Sequence, residues 1–247
     1  LTLIQSPPMG SGALMRFLTQ DIVPAPLRDG WDGAALWDWL RPLLVSEALP
    51  GILATVLVAQ IALALTGALA FAGFGLIVPR VTSRFGRMVG HLGLVILRSF
   101  PEYMLAYLFL QIFGPSMLPA VCAIVLHNGA ILGYLSGRNA NLLELRLDAP
   151  RRRLNRYAHE VLPRVYGQFL AFLFYRWEVM MRESAVLGIL GIPTLGFFID
   201  SAIAADAIDK VIFLIGVTAL LNVGIDSISQ LVRRRLRVRA GAVFTYD

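Results

Sequence analysis

Long apolar runs without charge dominate the pattern of this chain. The clearest run covers residues 51–78, which contain no ionisable side chain. About 20 apolar residues are enough for a helix to cross the hydrocarbon core of a bilayer. The same pattern predicts five membrane spans. They cover residues 51–78, 88–113, 117–137, 161–182 and 211–232.

Proline, glycine and charged residues mark where this pattern is interrupted. Residues 36–49 mix Trp and Leu with Asp, Arg and Glu, which predicts an N-terminal helix lying at the membrane interface. Pro101 breaks the second span. Residues 184–199 are apolar but contain three glycines and a proline, which predicts a re-entrant or surface loop. We therefore expect an all-α membrane protein, a polytopic bundle of about five transmembrane helices.

The arginines predict how these spans are oriented. Three follow the first span, seven lie in the insert at residues 138–164, and five lie at residues 233–239. Because cytoplasmic loops carry an excess of Lys and Arg, all three segments are predicted to be cytoplasmic. The N-terminus is then outside and the C-terminus inside. This divides the chain into an extracytoplasmic or interfacial segment (1–48), a transmembrane domain (49–232) and a cytoplasmic tail (233–247).

Composition excludes several functional classes. Only 15% of the residues are charged, compared with about 25% in soluble domains, and the mean hydropathy is +0.69. The net charge of +6 does not indicate nucleic-acid binding, because the arginines flank apolar spans. The chain lacks the G-x-x-x-x-G-K-[ST] phosphate-binding loop, so any use of ATP requires a partner ATPase. One cysteine and three scattered histidines predict neither a disulfide nor a metal site. The chain starts without a signal segment, and we interpret it as a processed product or a piece of a longer polypeptide.

Charges inside the predicted spans are the main functional signal. An arginine at the bilayer centre costs about 2.5–3.5 kcal/mol on insertion scales, so such residues pair or line a pathway. The candidate pathway residues are Arg98, Glu102, His127, Arg176, Glu178 and Arg182. Glu178 and Arg182 are four residues apart, which predicts a same-face helical pair, and Arg98 and Glu102 have the same spacing across Pro101. The sequence leaves open whether these residues bind an anion or hold the bundle together. For His127, a hydrogen bond to a neighbouring helix is the alternative.

The insert between the third and fourth spans has a helical pattern of its own. Leu154, Tyr157, Ala158 and Val161 recur at helical spacing, with arginines around them. This predicts a short amphipathic helix lying parallel to the membrane. Such a helix would rest on anionic lipid headgroups or dock onto a cytoplasmic partner.

Four sequence pieces resemble the inner-membrane permease subunits of ABC importers. They are RSFPE from Arg98, LHNGAILG from Leu126, NRYAHEVLPRVYGQFL from Asn155 and YRWEVMMRESAVLG from Tyr175. Their order and spacing over residues 49–232 are most similar to the phosphonate-type permeases. The resemblance implies the type I importer permease fold, with a cytoplasmic coupling helix in the insert. The coupling residues it implies are Asp148, Arg152, Leu154, Tyr157, Leu162 and Pro163.

The resemblance also implies partners and a substrate class. The partners are cytoplasmic ABC ATPase subunits, a second permease copy or paralogue, an extracytoplasmic substrate-binding protein and membrane lipid, with no nucleic acid. ATP and Mg²⁺ would bind the partner ATPase, so this chain would hold no cofactor and would not be an enzyme. The implied substrate is a small oxyanion, phosphonate or a related phosphorus compound, crossing the bacterial inner membrane.

Two segments depart from the family pattern. Pro150 occupies a position where importers usually carry Gly, and Leu143-Glu144 replaces their Glu-Ala-Ala motif. Residues 191–196 read GIPTLG, where the phosphonate type usually resembles GAGGIG. These departures favour a diverged copy that pairs with a non-identical permease. Two other functions fit the chain: a self-contained secondary transporter or channel for an anion, and a non-transporting membrane scaffold.

Overall fold

A computed structural model describes residues 11–28, 30–144, 146–147 and 150–235. Within these ranges the chain is helical and contains no β-strand, as predicted. Short 3-10 and π turns join the α-helices. These are α1 (Ser11–Arg16), α2 (Gly33–Leu43), α3 (Leu49–Gly73), α4 (Arg84–Ser99), α5 (Glu102–Phe113), α6 (Met117–Asn141), α7 (Arg153–Arg156), α8 (Leu162–Val186), α9 (Leu195–Ala204) and α10 (Ile208–Arg235).

The predicted interfacial helix and the first span form one continuous helix. It runs over Gly33–Ile77 and includes α2, a π turn at Leu44–Ala48 and α3. Asp32 caps its start, because the carboxylate accepts the first free backbone N–H groups. The sequence placed a boundary at Pro50, but the π turn lies just before this proline. Its wider hydrogen-bond spacing accommodates the missing N–H without ending the helix.

The second span is broken where Pro101 predicts a break. Helices α4 and α5 meet there at an angle of 90°. The central helix α6 packs against both of them and also against α3 and α8. Glycines on α6 allow this close packing: a Cβ added to Gly137 would lie 2.3 Å from the side chain of Ile77.

The insert contains the predicted helix, but this helix is not separate from the next span. Helix α7 continues through a π turn at Tyr157–Val161 into α8. Tyr157 fixes this segment against the end of the first long helix. Its ring lies 5.1 Å from the ring of Phe74, and its hydroxyl donates to the carbonyl oxygen of Phe71.

The glycine-rich segment after α8, predicted as a re-entrant or surface loop, forms a 3-10 turn at Leu187–Leu190 and then helix α9. The chain turns at Gly191, whose φ of +86° favours glycine, and α9 leaves at 41° to α8. Gly188 and Gly196 lie at the crossing, where an added Cβ would come within 2.3 Å of neighbouring backbone or side-chain atoms. The crossing is therefore packed against protein, whereas Ile189, Gly191 and Pro193 in the turn are exposed.

The lengths and apolar composition of these helices support a multi-pass membrane protein. Three helices of the described chain are long and apolar enough to cross a bilayer: Gly33–Ile77, α6 and α10. The number rises to five if each of two bent helix pairs counts as one span. The predicted count of five corresponds to this upper number.

Candidate substrate pathway and coupling segment

Three polar side chains meet between α6 and α8 in the middle of the bundle. The Nε of Arg176 donates to Oδ1 of Asn128 at 2.6 Å. The Nδ2 of Asn128 donates to Oε2 of Glu183 at 2.8 Å and to the backbone oxygen of Ile124 at 3.0 Å. Nη2 of Arg176 also lies 3.8 Å from Oε1 of Glu183. Asn128 is completely buried, and these contacts satisfy all of its polar atoms.

Helical geometry brings these residues together. Arg176 and Glu183 are seven residues apart, two turns of α8, so they lie on the same face. Asn128 reaches them because α6 and α8 pack directly against each other. Each of the two α8 charges therefore contacts the same α6 amide.

A second polar contact joins the break between α4 and α5 to α6. Nε2 of His127 lies 3.7 Å from Oε2 of Glu102, and Nδ1 lies 2.9 Å from the backbone oxygen of Phe100. Because a carbonyl oxygen can only accept, Nδ1 carries the proton and Nε2 faces the carboxylate. His127 therefore holds both sides of the bend at Pro101.

These residues form one central cluster: Glu102, His127, Asn128, Arg176 and Glu183. It contains one arginine, two carboxylates and a histidine, so its formal charge does not exceed zero. Arg176 already contacts Glu183 and Asn128, so an oxyanion at this guanidinium would share it with them. In this conformation the cluster links α5, α6 and α8.

The other predicted pathway residues on α8 lie on its opposite face. Glu178 forms an ion pair with Arg233 of α10, and Arg233 also donates to Ser229 at 2.7 Å. The prediction that the carboxylate of Glu178 pairs with Arg182 is wrong, because this carboxylate pairs with Arg233. Arg182 approaches only the backbone oxygen of Glu178, with its Nε 3.5 Å away. The carboxylate turns to α10 because an arginine is available there across the helix interface.

The α8–α10 face carries a second polar surface. A cavity of about 330 Å³ there is lined by Glu178, Arg182, Asn222, Val223 and Asp226. Arg182 and Asp226 belong to different helices, and both line the opening. The predicted pathway residues therefore separate into this surface and the central cluster.

Arg98 occupies a third position and is not paired with Glu102 among the described ion pairs. Its guanidinium carbon lies 3.9 Å from the centre of the Tyr134 ring on α6, a cation–π contact. The 90° bend after Ser99 separates Arg98 from Glu102, so their spacing of four residues is no longer one helical turn.

The predicted coupling residues are partly exposed and partly structural. Arg152, Leu154 and Pro163 are exposed, and Leu154 retains 78% of its accessible surface. Tyr157 packs inward, and Leu162 is half-buried. Asp148 lies outside the described residues.

A buried carboxylate fixes the loop before these residues. The carboxylate of Glu160 accepts from the backbone N–H of Arg146 at 3.1 Å and from Nη1 of Arg164 at 2.6 Å. Burial alone raises the pKa of Glu160, but these hydrogen bonds and the arginine charge outweigh it and lower the pKa. Arg164 also donates to the backbone oxygen of Glu144, so the loop is tied to the start of α8.

The sequence reasoning missed several residues that the structure brings into these sites. Glu183 and Glu160 were not singled out, although each is a carboxylate close to an arginine in sequence. The seven-residue spacing of Arg176 and Glu183 was a usable signal, because it is two helical turns. The position of Tyr134 against Arg98 had no such local signal.

Comparisons with known proteins agree with this architecture. No protein-family profile matches the chain. It is 28% identical over 230 residues to the phosphate-import permease protein PhnE of Mycolicibacterium smegmatis, covering 87% of this chain and 42% of that protein. It is 26% identical over 212 residues to the phosphite transport system permease protein PtxC of Stutzerimonas stutzeri, covering 81% of this chain and 71% of that one. The chain thus spans less than half the length of the mycobacterial relative.

One solved structure shares the fold. It is the crystal structure of an amino acid ABC transporter with histidines, with a TM-score of 0.61 and 17% identity. The match covers 83% of this chain and 99% of that one. At this identity the likeness shows the fold, and the two sequence relatives confirm the resemblance to phosphonate-type permeases.

Proposed function

We propose that this chain, a relative of permeases for phosphate and phosphite import, is the membrane-spanning subunit of an ATP-driven ABC importer. Its substrate is a small phosphorus oxyanion, such as phosphonate or phosphite. The observation that carries this proposal is the pair of permease matches, each extending over more than four fifths of the chain. The shared fold of an ABC transporter supports it.

The importer needs partners that this chain does not supply. ATP and Mg²⁺ bind a separate cytoplasmic ATPase, and a binding protein delivers the substrate from outside. Support for the ATPase contact comes from the insert, where Leu147 and Leu154 are strongly exposed beside arginines. Exposed leucines next to basic side chains fit an amphipathic docking surface.

A second permease, either a copy or a paralogue, completes the pathway. The surface proposed for this contact is the exposed face of α5, which includes Tyr103, Met104, Tyr107 and Leu108. Charged side chains at membrane depth give further support. Arg182 is exposed on the α8–α10 face, and such a group needs water or protein around it.

Uptake measurements test the importer directly. Cells that express this chain with its ATPase and binding protein should accumulate labelled phosphite or phosphonate. Uptake should stop when the ATPase is inactivated. Uptake that continues without the ATPase would favour a secondary transporter or channel, and no uptake with full complex assembly would favour a scaffold.

The ATPase contact has its own test. Replacing Leu154 with Asp should leave assembly intact but uncouple ATP hydrolysis from uptake, because it places a carboxylate in an apolar contact. Normal uptake by the variant would contradict the docking surface. The control is Asn155→Asp, which changes the charge on the same helix without removing an apolar contact. Leu220→Asp would not serve, because Leu220 lies in a span.

The orientation is part of the proposal: N-terminus outside, C-terminus inside. Single cysteines placed at Ser83 and Asn141 should resist an impermeant thiol reagent in intact cells and react after permeabilisation. Labelling of either position from outside would contradict this orientation.

A further inference from the structure

A basic cavity lies between α4 and α6, apart from the central cluster. It has a volume of about 440 Å³, within the range of small-ligand pockets. Arg84, Arg87 and His91 line it from α4, and Arg138 and Asn141 line it from α6. No carboxylate is among its lining residues.

Helical spacing explains why these side chains converge. Arg84, Arg87 and His91 are separated by three and four residues, so they lie along one face of α4. Arg98 continues this face two turns further along. On α6, Arg138 follows Tyr134 by four residues, which places both on the side that faces α4.

Tyr134 is the common contact of this basic face. Its ring centre lies 3.9 Å from the guanidinium of Arg98, 5.7 Å from the ring of His91 and 6.0 Å from the guanidinium of Arg138. Contact with one ring limits how far Arg98, His91 and Arg138 can move apart. The basic groups are therefore held near one another by packing.

The charge of the cavity is uncompensated in the described part of the chain. None of the ion pairs found there includes Arg84, Arg87 or Arg138. Like charges around one cavity repel, and an anion within it removes that repulsion. The central cluster differs in this respect, because each of its charges has a partner.

We propose that this cavity binds a phosphoryl anion. Several guanidinium groups around one opening match the multiple oxygens of a phosphoryl group, which arginine binds with paired hydrogen bonds. His91 adds a donor, and the amide of Asn141 adds another. The anion is either free in solution or the headgroup of an anionic lipid, because both present the same phosphoryl oxygens.

Direct binding tests the site without any ATPase, so its result does not depend on the importer function. The full chain would be purified in a maltoside detergent, which carries no phosphoryl group. Binding of radiolabelled inorganic phosphate would then be measured for the unchanged protein, Arg87→Gln and Arg138→Gln. Arg234→Gln is the matched control, since it removes one exposed arginine from α10.

Each cavity variant should bind phosphate about tenfold more weakly, the effect of one lost charge-assisted hydrogen bond. The control should bind as the unchanged protein does. Arg138→Lys keeps the charge but loses the paired N–H donors of the guanidinium. Its affinity for phosphate should lie between those of the cavity variants and the control. If Arg138→Gln fails to fold, Arg84→Gln replaces it, because Arg84 is exposed.

A second arm identifies the source of the phosphoryl group. Nanodiscs containing phosphatidylglycerol would be analysed by native mass spectrometry for retained lipid. If the unchanged protein retains phosphatidylglycerol and Arg87→Gln does not, and phosphate binding is also weaker in this variant, the cavity is assigned to a headgroup. Phosphate binding that phosphatidylglycerol does not affect assigns it to a free anion. Equal binding of both probes by the unchanged protein, the cavity variants and the control would overturn the proposal, as would no binding of either.

Discussion

The ion pair between Arg176 and Glu183 gives the sharpest prediction about how the bundle is held together. Arg176→Gln removes the positive charge but leaves a polar side chain that can still reach Asn128. Glu183 then stays in a nearly closed site, with the Asn128 amide as its contact. We expect this variant to be less stable than the double variant Arg176→Gln with Glu183→Gln.

The distance between the charges sets the magnitude. Two unit charges 3.8 Å apart attract by about 4 kcal/mol at an effective dielectric constant of 20. Removing one partner of a buried pair typically costs about 3–5 kcal/mol. Glu183 can limit this cost by taking up a proton, and polar contacts between membrane helices average only about 0.6 kcal/mol. We therefore expect the single variant Arg176→Gln to lose about 2–4 kcal/mol.

A double-mutant cycle in detergent or nanodiscs measures the coupling. Unfolding free energies would be compared for the unchanged chain, Arg176→Gln, Glu183→Gln and the double variant. The double variant should lose at least about 1 kcal/mol less than the sum of the two single losses. Glu178→Gln in place of Glu183→Gln is the control, because Glu178 pairs with Arg233. Additivity of Arg176 and Glu183 within about 0.5 kcal/mol would refute the reasoning.

Three further predictions concern the remaining structure. Gly188→Ala should destabilise the fold by about 1–3 kcal/mol in thermal unfolding, because its Cβ would lie 2.3 Å from a backbone nitrogen of α9, whereas Gly216→Ala, with open space around it, should not. Thr55→Val should cost about 1–3 kcal/mol, because its hydroxyl accepts from the buried backbone N–H of Leu195 at 3.1 Å; an unchanged melting temperature would contradict this. Glu160 has a pKa below its ordinary 4.5, so its carboxylate stabilises the fold above pH 4.5 and this contribution disappears as the pH falls. Acid titration should therefore destabilise Glu160→Gln less than the unchanged chain.

The architecture could be predicted because it follows from apolar length and a few backbone breakers. The uncharged run at residues 51–78 predicts a span, and Pro101 predicts a break in the second one. Both conclusions depend on local chemistry alone. The angle of 90° at the break does not, because it depends on how α4 and α5 each pack against α6.

The partners of the buried charges could not be predicted to the same degree. The spacing of Glu178 and Arg182 favours a pair along one helix, but Glu178 pairs with Arg233, which is 55 residues away. A contact across an interface is stronger when both side chains already point into that interface. Sequence spacing ranks only the contacts within a helix, so it selected the wrong partner.

The turn between α8 and α9 shows the same limit in its hydroxyl groups. Ser184, Thr194 and Thr55 are unremarkable in the sequence, yet together they hold the crossing of three elements. The Ser184 hydroxyl donates to the backbone oxygen of Thr55, and the Thr194 hydroxyl donates to that of Ala185, each at 3.1 Å. The Thr55 hydroxyl in turn accepts from α9. The glycines and the proline predict an interrupted backbone here, but only the packed structure shows which hydroxyls satisfy the backbone groups that the crossing buries.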